Sequence, residues 1–124
     1  IREVFREFPD LIRVDDVPSH VKHAWYRCYV YVNDKSIKGG WNREKILKAL
    51  NKLGVPCFVG ACPELYLEKN FIHFSKNKIK RLPNARELGE TSLAFLTHPT
   101  LTKPKMEIIV SKIFSLMTKI KKNI

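Results

Sequence analysis

Polar and apolar positions alternate most regularly near the middle of the N-terminal half. Residues 23–33 are rich in aromatic and β-branched side chains, and alternation puts Ala24, Tyr26, Cys28, Val30 and Val32 on one face against Trp25, Arg27, Tyr29 and Tyr31. This predicts a strand with one face in the core. Ahead of it, residues 1–8 read as the end of a helix with Val4, Phe5 and Phe8 on one side, 11–14 as a short apolar segment, and 15–19, with two acids and Pro18, as a loop. After Gly39 and Gly40 the period changes to that of a helix over 43–53. Asn42 is placed to accept its first free amide, Glu44 favours its positive end, Ile46, Leu47, Leu50 and Leu53 form its stripe, and Gly54 is its left-handed cap.

Residues 55–59 predict a short buried strand, which Pro56 sets at an edge or a strand start. Gly60, Ala61, Cys62 and Pro63 then make a turn into 64–69, read as one helical turn. Pro83 suits the first position of a helix running through Leu88, with Gly89 to stop it. Residues 92–96 predict another strand, and the last helix carries Met106, Ile109, Val110, Ile113, Met117 and Ile120 at spacings of three and four, with Thr102 as cap and Pro104 in its first turn. The order implies an α+β fold, a small, mainly antiparallel sheet covered by helices.

Length adds that the 124 residues suit a single domain. No apolar run approaches the roughly 20 residues that span a bilayer, and the N-terminus has no signal-peptide pattern, so a soluble chain with no membrane partner is expected. The net charge of +11 is strong enough to draw polyanions, yet the bases are sixteen lysines to seven arginines, and phosphate recognition favours the guanidinium fork. The densest run, Lys76, Lys78, Lys80 and Arg81 in the loop 75–81, is read as a solvated loop, with an anion-binding patch as the alternative. Cys28, Cys57 and Cys62 cannot all pair and show no C-x-x-C spacing, which points to a reducing, cytoplasmic setting.

Local chemistry is sparse. His20 and His23 lack a third metal ligand nearby. Cys62 lacks an activating base in its surroundings, and His98 ahead of Pro99 either meets a ligand or satisfies a backbone carbonyl. No phosphate loop, G-x-S-x-G or H-E-x-x-H occurs.

The segments 23–30 (HAWYRCYV), 42–50 (NREKILKAL), 54–66 (GVPCFVGACPELY) and 82–89 (LPNARELG), followed by 91–102 (TSLAFLTHPTLT), resemble in order and spacing the C-terminal, small domain of the DegT/DnrJ/StrS-type sugar aminotransferases. These are pyridoxal-phosphate enzymes of fold type I. The resemblance covers the chain from about Leu11 onward. It implies a C-terminal fragment of a larger enzyme, with 1–10 the end of a preceding helix and 11–124 the small domain, a reading that Ile1 in place of methionine also suggests. A missing N-terminal domain would hold the Schiff-base lysine and the pyridoxal phosphate, so this piece is expected to bind no cofactor, to carry no catalytic residue and to be inactive alone. Its implied work is to wall the pocket for a nucleotide-linked keto sugar, beside an amino-group donor, in a homodimeric parent that makes amino sugars for surface polysaccharide. His23 and Tyr26 are the first candidates for substrate contact, and Cys62, Glu64, Tyr66 and His98 the second. No metal site is expected. The rival readings are a stand-alone basic nucleic-acid-binding module and an interaction domain without a ligand.

Overall fold

The computed structural model describes residues 1–72 and 80–122. In chain order the elements are α1 (Arg2–Arg6), β1 (Ile12–Arg13), β2 (Arg27–Val32), α2 (Arg43–Lys52), β3 (Cys57–Phe58), a 3-10 turn (Leu65–Leu67), α3 (Lys69–Ile72), α4 (Pro83–Thr91), β4 (Ser92–Leu96) and α5 (Lys103–Lys122). Four strands form one antiparallel sheet in the order β1-β2-β4-β3. This is the α+β arrangement that the pattern implies, and the edge position of β3 suits Pro56 beside it.

Alternation in β2 survives in its core half: Cys28, Val30 and Val32 are buried, and Leu93 and Phe95 of β4 lie opposite Val30 and Cys28. Phe95 also faces Cys57 of β3, so it sits between two cysteines in the middle of the sheet. Above it pack Phe5 of α1, with ring centroids 5.4 Å apart, Ile46 and Leu50 of α2, and Ile113, Met117 and Ile120 of α5, all fully buried. Burying a side chain of this size stabilises by roughly 1.5–3 kcal/mol, so the face shared by these elements holds the domain together.

Local chemistry sets α2. Asn42 Oδ1 accepts the amide of Lys45 at 2.9 Å, a cap worth about 1 kcal/mol, and Gly54 follows with φ +74°. Leu53 is more exposed than the stripe predicts, and its carbonyl instead accepts the ammonium of Lys112 of α5 at 2.7 Å. Asn51 then fixes the edge strand, donating to the carbonyl of Cys57 at 2.8 Å.

Two expectations give way. The strand begins at Arg27, not at residue 23, because the chain bends at Trp25; Tyr26, which alternation puts on the same face as Cys28, Val30 and Val32, is 82% exposed. Gly89 does not stop α4, which runs on to Thr91 and passes directly into β4. The glycine serves a close approach instead, since a Cβ there would overlap the ring of Pro63. Most of the loop 75–81, including Lys76 and Lys78, lies outside the described residues.

Gly89→Ala therefore separates two effects of opposite sign. Helix propensity alone predicts a gain of up to about 1 kcal/mol. The overlap with a rigid proline ring predicts a loss of about 1–3 kcal/mol, and urea unfolding is expected to show the loss.

Candidate functional site

The register of β2 on β4 ends at the pair Arg27 and Leu96, so residues 23–26 and residues 97–102 leave the sheet at the same end. Between them the chain turns at Trp25, whose φ of +50° is unusual for a bulky side chain and costs about 1–3 kcal/mol unless its neighbours impose it. Three contacts do so. The Thr97 hydroxyl faces the carbonyls of Trp25 and Tyr26, the latter at 2.9 Å, and donates to one at a time. The Trp25 amide donates to His23 Nδ1 at 2.8 Å, and the two rings stack with centroids 4.2 Å apart. The Arg2 guanidinium lies 4.5 Å from the centre of the indole, within cation–π range.

His98 follows directly, with Nδ1 2.8 Å from the Thr100 hydroxyl. It lines a cleft of about 660 Å³ bounded by the first residues of the chain, the strand end and the approach to α5. The walls are mainly apolar, with Leu96, Leu101 and Met106 among them, and Arg2, Trp25 and His98 supply polar edges. A smaller cleft of about 210 Å³ shares His98 and reaches Pro56 and Ile109. Tyr26 lines neither, and the guanidinium of Arg27 stands 5.5 Å from its ring.

Cys62, Glu64 and Tyr66 lie elsewhere. With Phe58 opposite Ala94, the antiparallel β3 sends the chain toward the Ser92 end of β4, away from His98, and Gly60 passes close over Ser92 and Tyr29. There Glu64 pairs with Arg81, whose Nε donates at 2.9 Å, and accepts the Tyr66 hydroxyl at 2.8 Å. The Tyr66 oxygen in turn accepts the amide of Leu82 at 2.9 Å. Arg81 first, then Tyr66, hold the Glu64 carboxyl down at about 2, and the same pairing raises Arg81. The group clasps two segments 17 residues apart.

Cys62 Sγ donates to Glu68 Oε1 at 3.2 Å, and that bond raises the thiol pKa. A nucleophile needs the reverse. Burial pushes Cys57 up to about 12 and also raises Cys28, as suits core residues. Among the described residues no group of three or more His, Cys, Asp or Glu is placed to hold a metal ion, and no helix is long and apolar enough to cross a membrane.

The six candidates thus fall into two groups, His23, Tyr26 and His98 at one end of β4 and Cys62, Glu64 and Tyr66 toward the other. Arg2, Trp25, Thr97 and Arg81 were missed as partners. Only the Thr97-His98-Pro99 run, following a strand, marked one of them locally.

Comparison with family models and with curated proteins finds no match. Solved structures do match. An aminotransferase from Psychrobacter cryohalolentis is 37% identical with a TM-score of 0.89, over 98% of this chain and 32% of that one. A DegT DnrJ EryC1 StrS aminotransferase from Brucella abortus gives 21% identity and a TM-score of 0.69, over 94% of this chain and 29% of that one. An aminotransferase TlmJ from Streptoalloteichus hindustanus gives 17% and 0.71, over 97% and 31%. The more distant pair shows the fold. This chain spans about a third of the length of each of these proteins, and its fold is shared with part of each of them.

The Glu64 clasp has a pH signature. A carboxyl depressed to about 2 in the fold, against an ordinary value of 4.5, contributes stability that is whole above about pH 4.5 and fades as pH falls toward 2. Glu64→Gln should be less stable than the parent by a constant margin at neutral pH, and urea titrations should show that margin shrinking only below about pH 4.5.

Proposed function

We propose that this chain is the small domain of a pyridoxal-phosphate-dependent nucleotide-sugar aminotransferase that serves amino-sugar synthesis for surface polysaccharide. The observation that carries the reading is the 37% identity and TM-score of 0.89 to an aminotransferase over 98% of the chain. The cleft beside His98 does not fit the cofactor, since its lining contains an arginine, a tryptophan and a histidine but no lysine to form a Schiff base. The Schiff-base amine and the phosphate contacts are therefore assigned to a preceding domain, in a homodimeric parent, and no chemical step is derived from this chain.

What the chain can do is bind and orient. The apolar cleft beside His98 excludes water from one side of a ligand, and Arg2 offers a fixed positive edge to a diphosphate. With its Nδ1 engaged by Thr100, His98 meets a sugar hydroxyl or carbonyl through Nε2. Of the six candidates, His98 is the foremost substrate contact. His23 acts through Trp25, Tyr26 stands exposed for a contact outside the domain, and Cys62, Glu64 and Tyr66 shape the other end. The +11 charge supports the competing reading, a nucleic-acid-binding module.

The intact gene product, given pyridoxal phosphate, an amino-acid donor and nucleotide-linked keto sugars, should form an amino sugar detectable by mass spectrometry. Failure with every keto sugar, together with salt-dependent retention on immobilised nucleic acid, would favour the competitor. In the active enzyme, His98→Ala should raise KM for the sugar by up to about tenfold, the worth of one hydrogen bond, while leaving cofactor absorbance unchanged. An unchanged KM would remove His98 from the substrate site.

A further inference from the structure

Trp25 combines features that the aminotransferase reading does not use. It is the one non-glycine among the described residues with positive φ, and its side chain is among the largest the chain has. Its indole borders two separate clefts, the 660 Å³ one beside His98 and another of about 250 Å³ walled by Val17, Pro18 and Tyr29. Strain of this kind persists only where neighbours over-determine it. One of those neighbours is a histidine acting as an acceptor.

We propose that residues 23–26 form a proton-sensitive latch, in which the neutral ring of His23 holds Trp25 as the partition between the two clefts and protonation of that ring releases it. An imidazolium has two donors and no acceptor, so it cannot receive the Trp25 amide. The sign follows: the latch is closed at high pH and opens as pH falls. Loss of that bond leaves the left-handed backbone held by Thr97 and the Arg2 contact only, and the relaxed alternative is the ordinary extended conformation that alternation predicts for this segment.

The charges around His23 permit this response. On the same indole sits Arg2 of α1, whose positive charge opposes an imidazolium in the stack. Glu3 of α1 is paired with Arg6. In the loop after β1, Asp15 is paired with Arg13 and Asp16 with Arg6 at 2.6 Å, so neither carboxylate is a ready partner. From β2 come Arg27 and the phenols Tyr29 and Tyr31, and from the histidine's own segment His20 and Lys22. His98 borders the larger cleft and His20 lies three residues before His23, so the test must separate His23 from the other histidines of the chain. The proposal does not rest on the aminotransferase reading and is read without activity.

The test uses the 124-residue chain carrying Trp41→Phe, which leaves Trp25 as its one indole. Between about pH 8 and pH 5, acrylamide quenching of Trp25 should rise about twofold with a red shift of its emission, while far-UV circular dichroism stays constant. In His23→Asn the amide oxygen replaces the Nδ1 acceptor without titrating, so quenching should stay low at both pH values. In His23→Phe the stack remains without an acceptor, so quenching should be high at both. If Trp41→Phe does not fold, the same quantity is read as the difference between the parent chain and Trp25→Phe. A flat profile in the parent, or a transition that persists in His23→Asn, would overturn the latch and assign any response to His20, His98 or another group.

Discussion

The pairing of β2 with β4 is the constraint on which the rest of this structure depends. Its register puts Val30 opposite Leu93 and Cys28 opposite Phe95, which loads the buried face. A slip of one residue would turn Cys28, Val30 and Val32 outward and bring Arg27, Tyr29 and Tyr31 under α1, α2 and α5. The same register decides the chemistry at the sheet's end. Because Arg27 pairs with Leu96, the Trp25 corner and the Thr97-His98 segment meet, and Thr97 can bond to residues 71 and 72 positions earlier.

The two ends of β4 carry different kinds of polar structure. At the Ser92 end, Glu64, Arg81, Tyr66 and the Leu82 amide satisfy one another and close a loop. Such a clasp holds two segments together and leaves its groups largely engaged. At the Leu96 end the arrangement is less closed: a mainly apolar cleft with Arg2, Trp25 and His98 at its margin is the form that small-molecule sites commonly take. This contrast, more than the identity of any one side chain, places the proposed substrate contact at His98.

Local chemistry made much of the fold legible. Asn42 and Gly54 bracket α2 through interactions a few residues long, and the spacing of apolar residues in α5 survives as the buried set Ile113, Met117 and Ile120. The strand over 92–96 was equally plain. The misreadings occurred where a distant contact decided a local conformation. Nothing in a run of alternating residues announces that Trp25 will be left-handed, since one cause is Thr97, just beyond the end of β4. Gly89 resembles a stop signal, but it is needed for the approach of Pro63, and the helix continues through it. For the site, the family resemblance supplied six residues without saying that the sheet would carry them toward opposite ends, because that depends on the direction of β3 against β4. Arg81 was read as part of a basic run, whereas its partner is an acid 17 positions earlier.

The central claim is that the Leu96 end of this sheet is one wall of a sugar-nucleotide site completed by a preceding domain. A crystal structure of the intact gene product with pyridoxal phosphate and a nucleotide-linked amino sugar would test it most directly. The account predicts that the ligand lies against His98 and Arg2, with the cofactor on a lysine outside residues 1–124. A ligand bound with no contact to that end, or a cofactor lysine within this chain, would contradict it.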